Sequence, residues 1–172
     1  SFGFDMGKTI PDHRLFNKNL AGGGILDVGL YPISFSRLIA GVAIGEKFSE
    51  PKFLDAKAKI GETGVDEIAH ANLEFKNGLK AKVSTAIRET MKNNVIIIGS
   101  EGKIELPDPW MPGRDGGPYH AKIIINKNEN EEIVDVKGPE HLFFFEAELA
   151  SQCIAKEKTE PPHPAMTWED TL

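Results

Sequence analysis

The chain has 172 residues, enough for a domain with its own core, and its 40% hydrophobic and 27% charged residues are those of an ordinary globular protein. Its net charge of −6 argues against nucleic acid and anionic membrane surfaces as partners. No apolar run approaches the roughly 20 residues of a membrane span. The lone cysteine, Cys153, allows no intrachain disulfide and favours a cytoplasmic location.

Both ends of the sequence indicate a piece of a longer protein. The chain begins with the letters SFGF, without an initiator methionine. Near the other end, Thr167 and Asp170 form a variant of the capping box that opens helices, but the sequence stops at Leu172, too soon for a stable helix. We therefore expect residues 1–172 to be a single domain that is truncated at both ends.

The first part of the chain predicts a strand, a loop and a helix. The letters SFGFDM alternate as a strand does, and GKTIPDHRLFNKNLAGGG has the breakers of a loop. Apolar residues then recur at helical spacings from Ile25 to Ile39, and Gly41 closes this segment. Pro32 cannot donate its backbone hydrogen bond inside the helix, so we expect a kink there.

The remainder predicts strands joined by hairpins, followed by a second helix. Segments in which apolar and polar residues alternate flank turns at residues 77–78 (Asn-Gly), 99–102 and 128–130. The letters HLFFFEAELASQCIAKE return to helical periodicity, and their three phenylalanines, Phe143–Phe145, are expected in the core or, as the alternative, at an interface.

Seven or eight strands connected by hairpins imply antiparallel pairing. The sequence therefore predicts an α+β fold, an open, mainly antiparallel β-sheet with helices on one face. A broad sheet face that no helix covers predicts a homo-oligomer contact.

Three consecutive glycines, Gly22–Gly24, precede an acid, Asp27, and then Tyr31. A dinucleotide fingerprint would need glycine where Asp27 stands, after a buried strand rather than a loop. We expect instead the opening of a helix whose backbone closely approaches a ligand. Asp27 and Tyr31 lie four residues apart and so share a face of that helix.

The aspartate and tyrosine allow two interpretations. A phenol, which ordinarily ionises near pH 10, can pass a proton to an alkoxide if positive charge lies close. Alternatively, the pair is only an acid at a helix N-terminus and a packed tyrosine. The five histidines are scattered without metal-ligand spacing, so we expect no metal site.

The letters GGGILDVGLYPISFSRLIAG resemble the C-terminal domain signature of the Gfo/Idh/MocA oxidoreductases. The resemblance continues in family order through TGVDEIAHANLEFKNGLKAKVSTAI, IIIGSEGKIEL, FEAELASQCI and MTWEDTL. Because Tyr31 stands where many members have histidine, the sequence looks most like the dihydrodiol dehydrogenase and glucose–fructose oxidoreductase branch.

The resemblance implies an NAD(P)-dependent enzyme acting on a carbohydrate-like small molecule: a sugar, polyol or diol. It implies that NAD or NADP is bound mainly by a preceding Rossmann domain, absent here together with the family's catalytic lysine. The chain alone is therefore expected to be inactive and to serve substrate binding and oligomerisation.

Carried over by position, Tyr31 matches the family's proton donor or acceptor, and Asp27 the acid that holds the substrate or orients the catalytic group. Arg14 lies in a loop near the substrate pocket of relatives, which implies substrate binding. The alternative function is a non-catalytic, ligand-sensing or regulatory protein on the same scaffold.

Overall fold

The computed structural model of the chain describes residues 1–113, 120–138 and 140–170. They divide into two compact units, Ser1–Lys92 and Asn93–Leu172. Among the described residues there are eight strands, four in a sheet of each unit, and one main α-helix in each unit.

The first unit contains a four-stranded sheet in the order β1-β4-β3-β2. Its strands are β1 (Phe2–Gly3), β2 (Pro51–Ile60), β3 (Asp66–Phe75) and β4 (Lys80–Ala86). β2, β3 and β4 pair antiparallel, whereas the two-residue β1 adds to β4 in parallel. Asn77 and Gly78 form the turn between β3 and β4, with Gly78 at a φ of +81°, as the Asn-Gly signal predicts.

The second unit contains an antiparallel meander in the order β5-β6-β7-β8. Its strands are β5 (Asn94–Gly99), β6 (Gly102–Pro107), β7 (His120–Lys127) and β8 (Asn130–Lys137), followed by helix α2 (Leu142–Ala155). Asn128 and Glu129 both have positive φ between β7 and β8, as a two-residue hairpin requires.

The helix of the first unit begins irregularly. A short 3₁₀ helix (Lys18–Leu20) and a π-helical turn (Ile25–Gly29) precede α1 (Leu30–Val42). Pro32 in α1 cannot donate to the carbonyl of Val28, and a wider turn before the proline accommodates its ring. The distortion thus takes the form of a π-turn at the residues just ahead of Pro32.

Residues Lys18–Val42 are long and apolar enough to cross a membrane by length and composition, and an 18-residue window within them has a mean hydropathy of 1.4. The expectation that no apolar run approaches this length is therefore wrong. In the structure this stretch is broken where Gly23 has a φ of +118°, and its Ala40 is completely buried in a cluster with sheet residues. The stretch therefore packs as helical pieces on the sheet of the first unit.

Two apolar clusters form the core of the first unit. Ala40 of α1 packs with Leu73, Phe75 and Val83 of the sheet. The second cluster lies under the N-terminal loop and contains the buried residues Leu15, Phe16, Val65 and Ile87. The second cluster anchors the loop that carries Arg14.

The predicted α+β class with mainly antiparallel strands is confirmed, and the strands belong to two four-stranded sheets. The prediction for Phe143–Phe145 is wrong with respect to burial. They begin α2 as expected, but their exposed fractions are 52%, 44% and 44%. The helical spacing of these residues predicts a helix, but it does not show whether other side chains cover the phenylalanines.

Candidate functional site

The three glycines are explained by groups of the protein itself that approach them. A Cβ on Gly22 would lie 2.7 Å from the carbonyl oxygen of Leu15 and 2.8 Å from that of Arg14. A Cβ on Gly23 would lie 2.2 Å from Oδ1 of Asp66. The close approach expected for a ligand is thus made by the Arg14 loop and by an aspartate of β3.

Asp66 caps the start of the helix from a distant strand. Its Oδ2 accepts a hydrogen bond of 2.8 Å from the backbone N–H of Ile25, an interaction favoured by the helix dipole. Burial raises the pKa of this carboxyl above its usual range, although hydrogen bonds from the backbone of Ile25, Asp66 and Gly24 act in the opposite direction. The first turn of the helix is therefore fixed to the sheet.

Asp27 lies in the π-turn and is bound by Arg14. Nη1 of Arg14 is 2.5 Å from Oδ1 of Asp27, and the exposed fractions of the two side chains are 66% and 15%. The backbone next to Arg14 is well anchored, because the adjacent Leu15 and Phe16 are buried. The structure thus brings together two of the three predicted site residues.

Tyr31 lies in the first turn of α1, one turn beyond Asp27. Its ring meets the ring of Phe2 edge-to-face, with 5.4 Å between the centroids. Phe2 is 5% exposed whereas Tyr31 is 41% exposed. The buried phenylalanine therefore supports a tyrosine that is still accessible to a small molecule.

The glycine run does not fit the pyrophosphate of a dinucleotide. The N–H of Gly22 donates to the carbonyl of Asn17, and the N–H of Gly23 donates to the carbonyl of Leu15. The N–H of Ile25 donates to Asp66, a carboxylate that would repel a phosphate. These N–H groups are therefore used within the protein and do not form a phosphate cradle.

An apolar groove of about 250 Å³ lies between the helix and the sheet of the first unit. Ile25, Pro32 and Ile33 line it on the helix side, and Leu54 and Ala56 on the side of β2. Its polar lining is small, so it does not suit a polyhydroxylated substrate. Among the described residues that line it, neither Asp27 nor Tyr31 occurs, which separates the groove from the candidate site.

Sequence reasoning missed Asp66 and Phe2, which position the site. Asp66 is 41 residues from the Ile25 amide that it caps, and capping patterns in sequence are local. For Phe2 the sequence predicts only a place in a strand. The pairing of β1 with β4, which brings it under Tyr31, has no local signal.

Known proteins show where this chain belongs. Residues 1–105 match the family model described as "GFO/IDH/MocA C-terminal domain". Trans-1,2-dihydrobenzene-1,2-diol dehydrogenase of Xenopus tropicalis is 32% identical over 87% of this chain and 43% of its own length. The enzyme of that name from Mus musculus is 29% identical over 94% of this chain and 45% of its own length. The chain thus spans less than half the length of these relatives.

Solved structures share the fold at low sequence identity. The aldose-aldose oxidoreductase of Caulobacter crescentus, complexed with glycerol, has a TM-score of 0.74 at 20% identity, over 98% of this chain and 47% of that one. KijD10, a 3-ketoreductase from Actinomadura kijaniata in complex with NADP and TDP-benzene, has a TM-score of 0.68 at 20% identity, over 94% and 46%. From the extent of the family match and the identity to the Xenopus relative, we conclude that the chain belongs to the Gfo/Idh/MocA family.

Proposed function

We propose that this chain is the substrate-binding and oligomerisation part of a cytoplasmic NAD(P)-dependent oxidoreductase that acts on a sugar, polyol or diol. The observation that carries the proposal is the placement of Asp27, bound by Arg14, one helical turn before the accessible Tyr31. The dehydrogenase relatives and the neighbours complexed with glycerol or NADP support the reaction class.

Tyr31, Asp27 and Arg14 have different roles at the hydroxyl groups of the substrate. NAD or NADP, held mainly by a preceding domain, supplies the hydride acceptor or donor when bound. During oxidation the ionised Oη of Tyr31 takes the hydroxyl proton and becomes the neutral phenol, and during reduction the phenol gives that proton to the forming alkoxide. The Asp27 carboxylate accepts a hydrogen bond from a neighbouring hydroxyl, and Arg14 holds that carboxylate in position. An acid beside a phenol suits a ligand with two adjacent hydroxyls.

Replacing Tyr31 by phenylalanine in the complete protein tests this role. The substitution keeps the ring that contacts Phe2 and removes only the hydroxyl. We expect kcat to fall about 10²–10⁴-fold, the usual contribution of a general acid–base, with a small change in KM.

Ser36→Ala is the matched control for this experiment. It also deletes one hydroxyl from α1, but that hydroxyl donates to the carbonyl of Pro32 within the helix, at 2.7 Å. Its kcat should equal that of the unmodified protein. If Tyr31→Phe retains full kcat, Tyr31 has no part in proton transfer, and a ligand-binding role without turnover becomes the better account.

Oligomerisation through the open face of the first sheet is part of the same proposal. His70 is exposed on β3, and its Nδ1 lies 2.8 Å from Oγ of Ser84 on β4. The neighbouring Ala69 and Leu73 point to the buried side, so the polar side chains occupy the opposite face. A second copy that packs on this face would bury His70 and Ser84.

A further inference from the structure

β2 (Pro51–Ile60) is an exposed strand at the edge of the first sheet. Its apolar side chains are unusually accessible: Phe53 is 57% exposed, Leu54 60% and Ile60 59%. A long edge strand presents unpaired backbone donors and acceptors to any strand of suitable sequence. The side chains of β2 indicate which strand would pair with this edge.

The pairing of β2 with β3 is regular only in its central part. Register shifts occur between Pro51 and Phe53 and between Lys59 and Ile60. The regular segment is therefore Phe53–Lys59, seven residues with Ala56 at the centre. When two such segments pair antiparallel with full overlap, the two-fold axis lies at the central residue.

With the axis at Ala56, the two copies of β2 are complementary on both faces. Asp55 lies opposite the partner's Lys57, and Lys57 opposite the partner's Asp55, which makes two ion pairs. On the other face, the large Leu54 lies opposite the partner's small Ala58. Opposite charges and matched sizes across a strand pair stabilise a sheet.

In two other registers, the side chains of each face of one copy also continue the same face of the other copy, but these registers are unfavourable. Moving the partner by two residues in one direction places Asp55 opposite the partner's Asp55. Moving it by two residues in the other direction keeps Asp55 opposite a lysine, Lys59, but places Lys57 opposite the partner's Lys57. Like charges opposite one another are destabilising, so the register centred on Ala56 is favoured because Asp55 and Lys57 meet only opposite charges in it.

We propose that a second copy of this chain pairs with β2 edge to edge, antiparallel and centred on Ala56, with Asp55 and Lys57 exchanging ion pairs across the axis. This contact continues the sheet of one copy into that of the other. It goes beyond the proposed function, because its backbone hydrogen bonds are made by the edge of β2, although Asp55 and Lys57 project to the same face of the sheet as His70.

Cysteine cross-linking tests the register. In a Cys153→Ser background of the complete protein, Ala56→Cys should form a disulfide-linked dimer, because opposite residues have Cα atoms about 4.5–5.5 Å apart, within disulfide range. The control Ala58→Cys lies on the same face, but its thiol would be roughly 13 Å along the strands from the partner's equivalent. It should remain uncross-linked under the same mild oxidation.

Charge exchange tests the ion pairs without depending on a thiol. Asp55→Lys places like charges opposite each other at two positions, and we expect dimer dissociation constants from analytical ultracentrifugation to rise about ten-fold or more. The double variant Asp55→Lys/Lys57→Asp restores opposite charges and should restore dimerisation.

Three results would overturn the proposal. The first is a failure of Ala56→Cys to cross-link, and the second is equal cross-linking of the Ala58→Cys control. The third is a double charge variant that dimerises as weakly as Asp55→Lys. Because Asp55 and Lys57 take no part in the proposed reaction, kcat of the charge variants reports separately on the proposed function.

Discussion

Gly23→Ala perturbs the connection between the helix start and the sheet on which the candidate site depends. Gly23 has a φ of +118°, and an added Cβ would lie 2.2 Å from Oδ1 of Asp66. Backbone strain of this kind costs about 1–3 kcal/mol, and displacement of a helix cap costs about 0.5–2 kcal/mol. The free energy of unfolding should therefore fall by about 1.5–5 kcal/mol.

Urea denaturation measures this loss, and Gly45→Ala provides the control. Gly45 also has a positive φ, +75°, but no described atom lies within 4 Å of the Cβ position. Its cost should be limited to the left-handed conformation, about 1–2 kcal/mol. If the steric contact with Asp66 matters, Gly23→Ala should cost less in an Asp66→Ala background. A Gly23→Ala loss no greater than that of Gly45→Ala would refute the reasoning.

Two further variants test the residues around the site. Because burial raises the pKa of Asp66, the folded protein keeps the proton on this carboxyl to higher pH than the unfolded chain does. The unfolding free energy of the unmodified protein, relative to that of Asp66→Asn, should therefore fall as the pH rises from about 4. It should level off above the raised pKa. Identical pH slopes in urea titrations would contradict this. Arg14→Gln should change stability by less than about 1 kcal/mol because Arg14 is 66% exposed, yet lower kcat/KM by up to about 10²-fold through misplacement of Asp27. Unchanged kcat/KM would remove Arg14 from the positioning of Asp27.

The hairpins could be predicted from sequence because their signals are local. Asn77-Gly78 specifies a turn from its own backbone preferences, and the strands on either side have only to pair. The same is true of the turn at Asn128 and Glu129. The parallel addition of β1 to β4 joins residues more than 80 positions apart, and no turn signal in the sequence predicts this pairing.

The candidate site was predictable only in part for the same reason. The spacing of Asp27 and Tyr31 places both at the start of one helix, and the resemblance to a known family supplied Arg14. The reason for the glycines lies elsewhere, since Asp66 and the Leu15 carbonyl reach them through tertiary packing. A run of glycines thus signals close approach without identifying the approaching group.

A crystal structure of the complete protein with its nicotinamide cofactor and a bound diol or sugar would test the central claim most directly. The account predicts that a substrate hydroxyl oxygen lies about 2.6–3.2 Å from Tyr31 Oη, with a neighbouring hydroxyl on the Asp27 carboxylate. A substrate that binds away from both side chains, or in the apolar groove beside β2, would contradict it.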